Sequence, residues 1–175
     1  SLVLSGSVTL FGRYNIGSVL LNYGNLTLAG EAVVTSSRIA SDTANGLNGS
    51  GIGVIDNRGE KAVFTLSGGK ITRNALNDDS IVYSGIVRAS DGAKVIITGG
   101  EISGNQAVAV SAPNCSSGLL LMGHSSAVMS GGKISGNTGH RGSAVMLFGN
   151  DDKHRTAFEM HGGILSNNNC SSKLD

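Results

Sequence analysis

Apolar and polar residues alternate in short runs along the chain, and the alternation has a period of two. Phe64-Thr65-Leu66, Val95-Ile96-Ile97, Ala127-Val128-Met129 and Phe158-Glu159-Met160 each put their first and third side chains on one face, as a strand does and a helix does not. These runs recur inside longer repeats that align without gaps: FTLSGGKITRN (64–74), VIITGGEISGN (95–105), AVMSGGKISGN (127–137) and FEMHGGILSNN (158–168). Their first glycines, Gly68, Gly99, Gly131 and Gly162, follow one another at steps of 31, 32 and 31 residues. A degenerate copy lies upstream in LTLAGEAVVTSS (26–37), with Gly30 in place of the first glycine and Ser36 in place of the asparagine, and LVLSG (2–6) begins another. Between copies a second apolar element returns as SVLLN (18–22), GVIDN (53–57), GIVRA (85–89), GLLLM (118–122) and SAVML (143–147). Each repeat thus predicts a strand, a Gly-Gly bend, a short strand, an asparagine turn, a variable loop, a further strand and a variable turn.

One such coil cannot bury its apolar face alone, so the pattern predicts a stack in which each coil completes the core of its neighbours. Phe64, Val95, Ala127 and Phe158 then form one interior column, and Leu66, Ile97, Met129 and Met160 the next. The paired glycines permit a sharp corner because they accept positive φ. Asn74, Asn105, Asn137 and Asn168 fall at one turn, where asparagine tolerates the left-handed region and its amide can bond along the stack.

The recurring GG-x-I-x-x-N with flanking alternating strands resembles the right-handed parallel β-helix of the pectin-lyase-like superfamily, specifically the Gly-rich repeats of large bacterial surface proteins, over residues 18–169. The resemblance implies an all-β, right-handed parallel β-helix of about five coils with roughly 31 residues each, forming a single domain over 1–175 that is a segment of a larger protein. It implies an extracellular or cell-surface module for adhesion, display or glycan contact. Because the same fold carries several activities, two alternatives accompany this expectation. One is a catalytic segment of a lacto-N-biosidase-like glycoside hydrolase or a polysaccharide lyase, and the other is a structural stalk or filament subunit.

Composition narrows the classes further. Glycine supplies 27 of 175 residues while charged residues are only 14%, which argues against a charged coiled coil or a charge-rich disordered tail. One proline and no Gly-X-Y period exclude collagen, and no apolar run reaches the ~20 residues of a spanning helix, so no membrane insertion is expected. A net charge of +1 offers no basic field for a nucleic acid. Cys115 and Cys170 are too few for a disulfide framework, and a bridge between them stays open.

Candidate chemistry concentrates in the irregular segments. Between the asparagine turn and the next strand lie loops of 16 (37–52), 10 (75–84), 12 (106–117) and 5 residues (138–142), all decorating one edge; FGNDDKHRTA (148–157) is long on the other connection. The carboxylate pairs Asp78-Asp79 and Asp151-Asp152 are the candidates for acid and base groups. Asn77 and Ser80 only partly complete a calcium site beside the first pair, so no cofactor is expected apart from that calcium possibility. Tyr83 is the candidate platform for a sugar ring, with His154 and His161 as polar binding residues; no metal site is expected from histidine spacing. Lys70, Glu101 and Lys133 predict an outer ladder of alternating sign, and Asp56 and Arg88 an ion pair. The expected partners are a glycan or host-surface ligand and, at the ends of the stack, further coils or another copy, with Phe158, Met160 and Ile164 lining the C-terminal cross-section.

Overall fold

The computed structural model describes residues 1–15, 17–39, 51–76, 83–107, 115–149 and 155–170. Among them every regular element is a strand, and the strands form four parallel sheets. The first sheet stacks Leu2–Leu4, Asn25–Leu28, Val63–Leu66, Lys94–Ile97, Ser126–Met129 and Ala157–Met160. The second follows the Gly-Gly corner with Thr9–Phe11, Val33–Thr35, Lys70–Thr72, Glu101–Ser103, Lys133–Ser135 and Ile164–Ser166. A third, of two-residue strands, follows the asparagine turn: Tyr14–Asn15, Arg38–Ile39, Ala75–Leu76, Gln106–Ala107, Thr138–Gly139 and Asn169–Cys170. The fourth comprises Leu20–Asn22, Gly53–Arg58, Gly85–Ser90, Ser116–Met122 and Val145–Phe148. The chain is a parallel β-helix of five complete coils and a sixth begun in three of the sheets. The repeat carries four strands where the sequence pattern predicts three, because two residues with one inward side chain leave no alternation to read.

Register follows the repeat alignment. Leu26, Phe64, Val95, Ala127 and Phe158 are successive partners, as are Leu28, Leu66, Ile97, Met129 and Met160. The second sheet adds the column Val34, Ile71, Ile102 and Ile134, and the fourth adds Ile55, Val87 and Leu119. All of them but Met160, which is exposed at the end of the stack, line one continuous core, where each fully buried Leu, Ile or Phe contributes about 1.5–3 kcal/mol. Two alignments shift by one residue. Leu119, not Leu120, faces Val87 and Val145, because the strand register slips after the Gly85–Ser116 pair; the motif that matches GIVRA is SGLLL, and Leu120 turns outward. Upstream, Val33 pairs with Lys70, so one residue is inserted at the corner after Gly30 and Ser37, not Ser36, occupies the asparagine position.

The asparagine turn is built as an interior amide ladder. Asn74 donates from its backbone N and from Nδ2 to Asn105 Oδ1, both at 3.0 Å, and Asn105 does the same to Asn137 Oδ1, again at 3.0 Å. Asn137 continues to Asn168 Oδ1 at 3.2 and 2.9 Å. Each Nδ2 also donates to a main-chain carbonyl of the preceding coil, Val34, Ile71, Ile102 or Ile134. Ser37 joins only through its backbone N, at 3.1 Å from Asn74 Oδ1, and its buried hydroxyl has no hydrogen-bond partner. The left-handed residue of this turn is not the asparagine but its predecessor: Ser36 (φ 59°), Arg73 (56°), Gly104 (63°), Gly136 (61°) and Asn167 (54°). A second amide pair lies at the end of the fourth sheet, where Asn22 Nδ2 donates to Asn57 Oδ1 at 2.6 Å and Asn57 Nδ2 to Lys94 O at 2.8 Å.

At the Gly-Gly corner the two glycines serve different purposes. Gly100 has φ 71°, and a Cβ there would also stand 2.5 Å from Gly68 O; Gly99 needs no unusual φ, but a Cβ would stand 2.5 Å from Ser67 O. Stacked corners leave no room for a side chain. In the last coil Ile164 continues the outward Lys70–Glu101–Lys133 row, and Leu165 is the inward partner of Ile134, so Leu165 replaces Ile164 beside Phe158 and Met160 in the cross-section. No disulfide joins Cys115, which is buried, to Cys170, which is exposed and donates its thiol to His140 O at 2.7 Å.

Candidate functional site

Two outward surfaces carry candidate chemistry, and both follow from strand alternation. On the fourth sheet Leu21, Asp56, Arg88, Leu120 and Met146 are register partners facing away from the core. Asp56 and Leu120 are nevertheless fully buried and Arg88 nearly so, so this face is covered over its three middle coils, while Leu21 in the first is exposed. A buried carboxylate needs partners, and Asp56 has them: Oδ1 accepts from Arg88 Nη1 and Oδ2 from Arg58 Nε, both at 2.9 Å, with Ser18 Oγ at 3.4 Å. The bond to Asp56 holds the Arg58 pKa above its ordinary value, against the opposing effect of burial. The predicted Asp56–Arg88 pair is therefore real and extends to a second arginine.

The arginines also reach the stems of the loops. Arg88 Nε donates to Tyr83 O at 3.1 Å, and Arg58 Nη2 to Gly51 O at 2.6 Å. Arg88 further donates to Ser90 Oγ at 3.1 Å and approaches Met122 Sδ at 3.4 Å. Both Asp56 oxygens are occupied, which suits a clamp and not proton transfer. Tyr83 sits in the left-handed region (φ 54°), and its ring meets Phe148 at a centroid distance of 4.9 Å and a tilt of 59°. It spans two coils to do so and remains 37% exposed.

On the third sheet the outward row reads Tyr14, Arg38, Ala75, Gln106, Thr138 and Asn169. Arg38, Ala75 and Gln106, with Ser36 and Arg73 from the adjoining turn, line an open recess of about 310 Å³. Among the described residues its lining contains no carboxylate and neither arginine makes an ion pair. Tyr14, one coil from Arg38, is 71% exposed. Sequence reasoning passed over this row because a two-residue strand shows no period, and Arg73 and Arg38 are brought together only by stacking.

The remaining candidates separate. Asp78, Asp79, Asp151, Asp152 and His154 lie outside the described residues. His161 stands on the outer face of the first sheet in the sixth coil, with Nε2 3.3 Å from Glu159 Oε2, both side chains mostly exposed. The outer charge ladder has its predicted register, with Lys70 Nζ 3.9 Å from Glu101 Oε2 in solvent. Among the described residues no cluster of three or more His, Cys, Asp or Glu has metal-binding geometry, and no helix is long and apolar enough to cross a membrane. Burial pushes the Cys115 thiol pKa up, with the backbone hydrogen bond at Ser84 acting in the opposite sense. Comparison with known proteins gives no significant match to a family model, a curated protein or a solved structure.

Proposed function

We propose that this chain is a glycan-contacting module of an extracellular or cell-surface protein, built on a β-helix of the pectin-lyase-like kind. The observation that carries the reading is the exposure of aromatic rings on the outside of a rigid stack: Phe11 is 74%, Tyr14 71% and Tyr23 63% exposed. Large aromatic faces normally find cover; such a ring packs on the C–H face of a sugar, and the tyrosines can bond to its hydroxyls as well. The clamp at Asp56 gives further support, since it fastens the stems of two long loops at Gly51 and Tyr83 to the scaffold, and loops held on a rigid frame are where recognition is built. The superfamily assignment draws on the Gly-Gly corners, the interior asparagine ladder and the parallel stacking.

A glycan array probed with the 175-residue chain tests the reading, with every bound glycan then assayed for hydrolysis and for eliminative cleavage. Binding without turnover is the expected result. Turnover would transfer the reading to the catalytic alternative, and an array without a single bound glycan would end it.

A further inference from the structure

We infer that the outward row of the third sheet binds a sulfated oligosaccharide, with Tyr14 as the stacking platform and Arg38 and Arg73 as the sulfate ligands. The inference rests on the glycan-contact reading and names the ligand class and the place. Tyr14, Arg38, Ala75 and Gln106 follow one another along the axis, so the row covers three coil steps of about 4.8 Å, about 14 Å in all. Ala75 is the small residue in the middle, and it leaves the space between Arg38 and Gln106 that forms the recess. Arg38 lines this space from one coil, Arg73 from the next and Gln106 from a third, with the Ser36 hydroxyl beside them. Donors converging from several coils suit a tetrahedral oxyanion, which accepts in several directions, better than a planar carboxylate, which one guanidinium fork satisfies.

The backbone gives an independent reason. Arg73 occupies the left-handed position that Gly104 and Gly136 fill in the next two coils at nearly the same φ. Glycine is the unstrained choice there, and an arginine is disfavoured. Ser36 repeats the exception one coil earlier, and these two border the recess, while Asn167 in the sixth coil is a third and lies away from it. Two of the three non-glycine residues at this turn position thus meet at one cavity, with two guanidinium groups and, among the described residues, no carboxylate in its lining, which marks a place where side-chain chemistry outweighs backbone preference.

The test measures binding of a sulfated hexasaccharide by calorimetry, beside the desulfated hexasaccharide and sodium sulfate at equal concentrations. The chain should prefer the sulfated sugar over both, and added salt should weaken it. Arg38→Gln and Arg73→Gly should each reduce its affinity about tenfold or more, and Tyr14→Ala should weaken both sugars. Arg73→Gly carries its own control for folding, since glycine at φ 56° should raise the melting temperature while binding falls. Sulfated-sugar binding that is unchanged in Arg38→Gln and Arg73→Gly would overturn the site while leaving glycan contact intact. Equal response to sodium sulfate would overturn the oligosaccharide as the ligand, and no binding of any sugar here or on the array would remove the parent reading as well.

Discussion

At Gly99 and Gly100 neighbouring residues of one type are required for unlike reasons, and substitution separates them. Gly100→Ala meets both the left-handed penalty of about 1–2 kcal/mol and the carbonyl of Gly68. Gly99→Ala meets only the carbonyl of Ser67, so a backbone survey of φ alone would pass it as harmless. Both should lower the unfolding free energy, read from denaturant titration, by more than about 1 kcal/mol, with Gly100→Ala the worse; a neutral Gly99→Ala would show that the corners can spread apart. Cys115 makes a prediction in pH. Burial raises its folded pKa, so the folded state keeps a proton that the unfolded chain loses first. The associated stability is complete below the unfolded value of about 8.5 and declines as pH rises from there toward the folded pKa. Denaturant midpoints at neutral and alkaline pH should therefore fall more steeply for the native chain than for Cys115→Ala, and parallel pH profiles would refute this. A thiol reagent under native conditions should modify Cys170 before Cys115.

The elements were legible in the sequence where they alternate and illegible where they do not. Period-two runs and Gly-Gly spacing located the strands of the first, second and fourth sheets, because a half-buried strand of three or more residues imprints its faces on the sequence. The third sheet left no such imprint, and with it went the recess at Arg38 and Arg73. The two single-residue shifts, at Gly30 and at Gly118, escaped a gapless alignment because inserted residues change which side chain points inward without changing composition. The asparagine ladder was visible as a column, but which residue of the turn is left-handed was not, since Asn74 and Arg73 are both compatible with a tight turn until hydrogen bonds are assigned. The ladder carries a prediction of its own. Asn105→Ala would leave Asn74 N and one N–H of Asn74 Nδ2 without their acceptor in the interior, the other N–H keeping Val34 O, at about 1–3 kcal/mol for each buried orphan that water cannot reach. Its cost should be at least about 2 kcal/mol and should exceed that of Asn168→Ala, whose site is only half-buried; equal losses at the two positions would show that the bonds along the column do not act together.

Across the whole molecule, stability is carried by contacts between neighbouring coils, and Asp56 is a place where three coils meet in one carboxylate. It accepts from Ser18 of the coil before, Arg88 of the coil after and Arg58 of its own strand. Asp56→Ala strands Arg88 as a buried, uncompensated charge and should cost about 3–5 kcal/mol. It should also release the loop stems, so limited proteolysis should cut near Gly51 and Tyr83 sooner than in the native chain; an unchanged cleavage pattern would separate the clamp from the loops. The amides of Asn74, Asn105, Asn137 and Asn168 add a property that no single coil possesses. Each turns its oxygen toward the preceding coil, and Asn74, Asn105 and Asn137 each turn one N–H toward the next, so the dipoles along the column point the same way. The interior therefore contains a column with an electrical head and tail, negative toward the N-terminal coils and positive toward the C-terminal ones, and each bond in the line polarises its neighbours. A coil inserted upside down would oppose that field as well as break the ladder, which makes the amide column a compass for the direction in which the stack is wound.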